Sequence, residues 1–253
     1  MSSRPSNSTP PYGAAQAPDA ARSSLVLRGA DVSCRVQPWS FQPDTAQLVL
    51  YHQQRLPSLA DLQRWTDRLS ELGYTKVRTT ALSTPAGLRA ESAGFRSIQE
   101  LVLLEHTAPR AAARHATLST HRLLVSQHAE ASSIDIAAFG DDWALEPTAV
   151  GDVCNATPRH RARGAGAPLA AYAITGRDAK QGFLQRLAVA PQQQRNGLGR
   201  ALVLDSLQWL ARWRVARVLV NTPTDNQPAL ALYEQLGFRR LSERLRVYEL
   251  ALT

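Results

Sequence analysis

At 253 residues with 44% hydrophobic content, the chain is long enough for one large domain or two small ones around a packed core. Its formal charge of +8 is carried almost wholly by arginine, since Lys76 and Lys180 are the only lysines, and no apolar run approaches the roughly 18 residues that a membrane-spanning helix needs. Cys34 and Cys154 stand far apart and the six histidines are scattered, which offers no disulfide framework and no metal-ligand spacing; the reading is a cytoplasmic chain without a bound metal.

Residues 1–24 are rich in Ser, Pro and Ala and lack a hydrophobic signal core, so they read as a disordered tail. Leu48 to Tyr51 predicts a strand, Leu59 to Leu72 an amphipathic helix with Leu62, Trp65 and Leu69 on one face, and Val77 to Thr80 a second strand. A polar break with Pro85, a short helix up to Ala93, the pair Gly94 and Phe95, and a strand at Leu101 to Leu104 follow.

A second region starts near Arg110. Arg122 to Val125 predicts a strand, Ala129 to Phe139 a helix, and Gly140 to Ala165 a long polar connection. Arg159, His160, Arg161 and Arg163 form the densest basic cluster there; with no aromatic residues interleaved it reads as a solvated loop, and nucleic acid is not an expected partner. Leu169 to Thr175 and Gly182 to Val189 predict a strand pair around a turn at Gly176 to Gln181.

The strand ending in Leu187, Ala188 and Val189 runs through Pro191 into Gln194, Arg195, Asn196, Gly197, Leu198, Gly199 and Arg200, and then into a helix whose Leu202, Val203, Leu207, Leu210 and Trp213 form a core stripe. Arg217 to Asn221 predicts a buried strand and Thr222 to Gln227 a polar break. Asp225 or Asn226 caps the next helix, whose early Pro228 needs no backbone donor and which Gly237 ends.

The turn at Gln194 to Gly199 is suited to a pyrophosphate. Gly197 and Gly199 allow close backbone approach, the first amides of the helix lack intrahelical partners, and Arg195 and Arg200 bracket the turn with positive charge. Arg200 and Leu202 occupy places where a P-loop needs its Lys and a dinucleotide fingerprint its third Gly. Gln194, Gly197 and Gly199 instead follow the pattern Gln or Arg, two residues, Gly, one residue, Gly or Ala. Asn226, Ala229, Leu232, Tyr233, Gly237 and Phe238 form a second constellation downstream.

Together the two motifs, over about 50 residues, resemble the GCN5-related N-acetyltransferase (GNAT) family, and a weaker pattern extends the likeness over roughly the last 140. The resemblance implies an α/β fold with a mixed twisted sheet flanked by helices, acetyl-CoA as acyl donor, and direct attack by an amine. It also implies that Leu187 and Val189 belong to a splayed strand along which the pantetheine arm pairs, that Asn226 contacts the arm, and that Tyr233 protonates the departing thiolate. A phenol at about 10 and a thiol at about 8.5 make that transfer uphill in water, so it depends on a positioned hydrogen bond.

Family members that act on N-terminal amines often carry a Glu on the strand before the second motif. Asn221 stands there, and an amide takes up no proton. Asp141, Asp142, Glu146, His160, Glu243 and Glu249 are the alternative bases, and Trp143 lies in the region where the family binds its acceptor. The acceptor stays open between a protein N-terminal α-amine and a small-molecule amine, as does a second reading in which the chain binds acetyl-CoA without turnover.

The predicted order of the first region repeats that from Leu187 onward. Aligning the Gly-Phe pairs sets Ser83 opposite Asn226, Ala90 opposite Tyr233 and Glu91 opposite Glu234. Gln53 to Ala60 contains Pro57 and no Gly. Residues 25–109 are therefore read as a degenerate, partial GNAT-like copy that packs without binding cofactor, and residues 110–253 as the catalytic domain.

Overall fold

A computed structural model describes residues 24–50, 56–107, 109 and 118–252; residues 1–23 of the expected tail, Tyr51 and Arg110 fall outside these. The first half contains β1 (Leu25–Arg28), β2 (Ser33–Trp39), β3 (Gln42–Leu50), α1 (Leu59–Glu71), β4 (Lys76–Thr79), α2 (Thr84–Ser92) and β5 (Arg96–His106). The second contains β6 (His121–Arg122), α3 (His128–Phe139), α4 (Pro147–Asn155), β7 (Arg159–Ala165), β8 (Ala171–Arg177), β9 (Gln181–Val189), α5 (Leu198–Arg212), β10 (Arg217–Pro223), α6 (Gln227–Gln235) and β11 (Arg239–Ala251).

Local chemistry fixes the element ends. Ser58 opens α1 with a reciprocal capping box: its Oγ accepts from Asp61 N at 3.0 Å and Asp61 Oδ2 accepts from Ser58 N at 3.1 Å. Leu62, Trp65 and Leu69 then bury as a stripe. In β2 and β3 the side chains alternate, so Cys34, Val36, Ala46 and Leu48 enter the core beneath α1 and α2, while the intervening Arg35, Gln37 and Gln47 belong to the opposite face.

The strands form one sheet in the order β1-β2-β3-β4-β11-β5-β10-β9-β8-β7-β6. Among the described residues, only β3–β4 and β9–β10 are parallel. The centre of this order contains an exchange: β5 leaves the first half to pair with β10, and β11 leaves the second to pair with β4. β5 and β11 lie antiparallel to each other, so the two halves are related by an approximate two-fold. The cores follow suit. Val102 and Leu104 of β5 pack with α5 and α6, and Tyr248 of β11 packs with α1 and α2. A third cluster lies under α3 and α4, against Tyr172, Ile174 and Ala188 on the other face of β8 and β9.

The repeat alignment reappears in the backbone. Gly94 and Gly237 take φ of 88° and 89°, and Phe95 N and Phe238 N donate to Ala90 O and Tyr233 O at 3.1 and 3.0 Å. Ser83 and Asn226 both stand at helix N-caps. The first half has no counterpart of α3 or α4 among the described residues, which makes it a partial copy.

Several expectations are corrected. The strand expected at Arg122 to Val125 ends at Arg122 and gives way to a 3-10 turn over Val125–Gln127. The connection expected from Gly140 to Ala165 contains α4, with Pro147 in its first turn, and all of β7. The cluster read as a solvated loop is thus a strand, whose Arg161 and Arg163 side chains converge on Asp205 of α5. Trp213, expected in the core stripe, is the C-cap of α5 and 51% exposed, because the helix ends one residue before it. Its ring instead carries the Arg177 guanidinium, 4.1 Å from the centroid. No helix of the described residues is long and apolar enough to cross a membrane.

Candidate active site

β9 and β10 pair only at Gln181–Phe183 with Arg217–Leu219. Gln185 then forms a bulge, since Ile174 faces Arg186 while Thr175 faces Leu184, and a bulge bends its strand. From Leu184 to Val189, β9 is paired on the β8 side alone, and β10 continues along β5. The backbone edge of Leu187, Ala188 and Val189 that faces β10 therefore has no strand beside it among the described residues. An extended chain of amides could pair there by strand addition.

The mouth of this splay is closed by the glycine turn. A 3-10 turn at Pro191–Gln193 ends at Gln194, whose Nε2 lies 3.4 Å from Val189 O. Arg195 has φ of 67°, a left-handed backbone that a non-glycine residue adopts at a cost of about 1 kcal/mol. Gly197 has φ of 80° and is the N-cap of α5, with no side-chain cap bond. The amides of Leu198, Gly199 and Arg200 follow it in the first helical turn, where no intrahelical acceptor exists. The two glycines have different jobs. A Cβ at Gly197 would meet only Leu118 Cδ1 at 3.4 Å, so its requirement is conformational, whereas one at Gly199 would lie 3.3 Å from Leu232 Cδ2 and 3.5 Å from Val189 Cγ2. Arg195, Asn196 and Arg200 are exposed at the rim.

On the β10 side, Asn226 caps α6 by accepting from Ala229 N at 3.2 Å. One helix turn and more along, Tyr233 is 4% exposed, its ring 5.6 Å from that of Phe238. Its hydroxyl has no hydrogen-bond partner among the described residues. Burial pushes the phenol well above its ordinary value, with the charge of Arg186 opposing the shift. The group is a neutral phenol at physiological pH, holding a proton that it can give. These features, a free strand edge, a cluster of unpaired amides and a buried phenol, fit a pantetheine thioester with a pyrophosphate at one end.

Arg186 is a site residue that the sequence pattern does not mark. It lies on β9 beside Leu187, donating to Asp135 from Nε at 3.1 Å and from Nη2, and also reaching Trp143 O at 2.8 Å from Nη2. Asp135 is fully buried and also accepts from Tyr172 Oη at 2.7 Å and Leu145 N at 2.9 Å. The available signal was a lone acid within the apolar helix run of Ile134 and Ile136, and a lone arginine in an apolar strand.

The alternative bases are dispersed. Asp141, Glu243 and His160 are exposed, whereas Asp142 accepts from Gln42, Glu146 from Phe41 N and Glu249 from Arg78. Trp143 is a packed indole, edge-on to Trp39 with centroids 5.5 Å apart. Asn221 is exposed on β10.

The model of the acetyltransferase (GNAT) family matches residues 162–238, the stretch that holds the splay, the turn and Tyr233. Residues 162–238 thus match the GNAT family. The [ribosomal protein bS18]-alanine N-acetyltransferase of Escherichia coli (strain K12) is 39% identical over 80 residues, which are 32% of this chain and 54% of that protein. A mycothiol acetyltransferase of Kocuria rhizophila is 42% identical over 59 residues, 23% of this chain and 20% of that one. The chain thus spans about half the length of the first relative and a fifth of the second. The GNAT likeness of the fold extends further: a tandem GNAT protein from the clavulanic acid biosynthesis pathway aligns with a TM-score of 0.61 at 16% identity, over 88% of this chain and 79% of its own. A GCN5-related N-acetyltransferase from Kribbella flavida also gives 0.61, at 11% identity over 89% of each chain.

Proposed function

We propose that this protein is an acetyl-CoA-dependent N-acetyltransferase, in which the amine attacks the thioester directly with donor and acceptor bound together. The reading rests above all on one observation: β9 departs from β10 after Phe183 and leads directly into the Gly197 turn, with Tyr233 beside the opening. The acyl donor supplies an activated carbonyl and a thiol leaving group. Leu187, Ala188 and Val189 offer it a strand edge, and the α5 amides with Arg195 and Arg200 receive its phosphates. Asn226 lies at the entrance of α6, and Gln194 and Asn196 shape the turn.

When the amine nitrogen bonds to the carbonyl carbon, the carbon–sulfur bond breaks and its electron pair leaves on sulfur. Tyr233 gives its proton to that sulfur, and the amine releases one to water or a nearby carboxylate. With Asn221 where a Glu could have served, an amine that is already partly neutral needs least help. An α-amine near 8 meets that condition better than lysine near 10.4, so the acceptor is an N-terminal α-amine or a small molecule with a similarly weak base.

Thiol release from acetyl-CoA, measured against alanine-initiated peptides and small primary amines, tests the reading. Release that depends on an acceptor is expected. Tight acetyl-CoA binding with no release for any amine would leave a binding protein that has lost turnover, the reading favoured by Asn221 alone. The half comprising residues 110–253 carries the chemistry on this account.

A further inference from the structure

The loop between α3 and α4, residues 140–146, is gripped from two directions. From its own half, Trp143 O receives Arg186 and Leu145 N is held by Asp135. From the first half, Trp39 Nε1 donates to Asp142 O at 2.8 Å, Gln42 Nε2 to Asp142 Oδ1 at 2.7 Å, and Phe41 N to Glu146 Oε1 at 2.7 Å. Arg78 joins these contacts. Its neighbour Val77 lies in the core beneath α1 and α2, so its own side chain leaves β4 on the other face, where it is 7% exposed. Nε donates to Glu249 Oε2 at 2.7 Å, Nη1 lies 3.4 Å from Asp142 O, and the guanidinium stands 4.8 Å from the Trp39 ring and 5.5 Å from the Trp143 ring.

This face is available because the first half has no helices matching α3 and α4 among the described residues; the loop of the second half covers it instead. We propose that the degenerate half is the positioning element for the α3–α4 loop on the acceptor side, with Arg78 as the positioning residue that joins Trp39, Trp143 and Asp142. A planar guanidinium suits that place because it stacks on two rings while its edge makes directed hydrogen bonds, which an ammonium cannot do together. A fixed loop spares the acceptor the cost of ordering it. The inference rests on the acyl-transfer reading of the site, and its test separates the two.

In the full chain, Arg78→Met should speed hydrogen exchange of residues 140–146 by about tenfold or more, leaving residues 194–199 and α5 unchanged. Calorimetry should show acetyl-CoA affinity within about twofold, while KM for an alanine-initiated peptide rises about tenfold and kcat stays within about threefold. Trp39→Phe keeps an aromatic ring but shrinks it and removes the bond to Asp142 O, so it should move the same readouts in the same direction by less; Arg78→Lys should restore little of the loss. Unchanged loop exchange in both Arg78→Met and Trp39→Phe would overturn the proposal, and so would acceleration spread equally over β8 and β9. If no amine is acetylated yet the loop loosens selectively, the activity reading fails and the positioning stands. If an amine is acetylated and the loop is unaltered, the activity stands and the positioning fails.

Discussion

Replacing Tyr233 by Phe removes one oxygen and leaves the packing intact. The ring is 4% exposed and tilted against Phe238, and both contacts survive the change. Because the hydroxyl has no hydrogen-bond partner among the described residues, its removal orphans no buried group, and stability should move by no more than about 1 kcal/mol. Tyr233→Ala would instead cost about 3–5 kcal/mol by opening a cavity, which is why only the Phe variant isolates chemistry. A positioned general acid contributes about 10²–10⁴ in rate, or roughly 3–5 kcal/mol of barrier. Burial pushes this phenol upward, so it stays protonated through the neutral range and the deficit should be equal at about pH 6 and about pH 8. Thiol release at saturating acetyl-CoA gives the turnover, and calorimetry should show unchanged acetyl-CoA affinity. Turnover within about threefold of the parent would remove the general-acid assignment, and a loss that appears only at high pH would contradict the direction of the shift.

Three further variants address other parts of the molecule. Gly197→Val forces a β-branched residue into φ of 80°, and acetyl-CoA binding should fall at least about 100-fold in a protein that still folds; Gly197→Asn, which tolerates that conformation, should retain more, and normal affinity in the Val variant would sink the turn's role. Asp135→Asn leaves the Arg186 charge beside a neutral amide at a fully buried position and should cost about 3 kcal/mol in urea unfolding; a loss below about 1 kcal/mol would show that the hub is dispensable. Leu104→Ala lies in the first half but empties space under α5 and α6, so about 3 kcal/mol should be lost and acetyl-CoA binding weakened, whereas a harmless change would mean that the exchanged strand carries little of the second core.

The parts of the site legible in the sequence are those set by local chemistry. The Gly197 turn, the Asn226 cap and the Gly237–Phe238 stop each depend on the backbone of a few consecutive residues, and the structure places all three at the ends of α5 and α6. Strand partners are another matter. Nothing in the apolar pattern of Leu101 to Leu104 says that β5 pairs with β10 of the other half, because alternation reports which face is buried and not which chain lies alongside. Asp135 with Arg186, and Arg78 with Trp39 and Trp143, escaped for the same reason: each set is assembled from residues far apart in the chain. β7 escaped by composition, since its alternate arginines look solvated until Asp205 is seen to receive them.

The two halves also differ in a way that separates folding from chemistry. The first keeps the left-handed Gly94, the Phe95 to Ala90 hydrogen bond and the N-cap position of Ser83, all of which end or begin helices. It has Ala90 where the second has Tyr233, and no glycine turn. Its parallel pair stays in register from Thr45–Lys76 to Leu48–Thr79, almost to the end of β3, and Thr80 N still reaches Leu48 O at 3.1 Å. β9, by contrast, leaves β10 after Phe183 and runs on to Val189. Among the described residues the first half therefore shows no free edge like that of Leu187–Val189, yet it cannot be discarded. β5 covers the β10 edge and contributes Val102 and Leu104 to the core that underlies Tyr233, so the packing of the second half depends on a strand of the first.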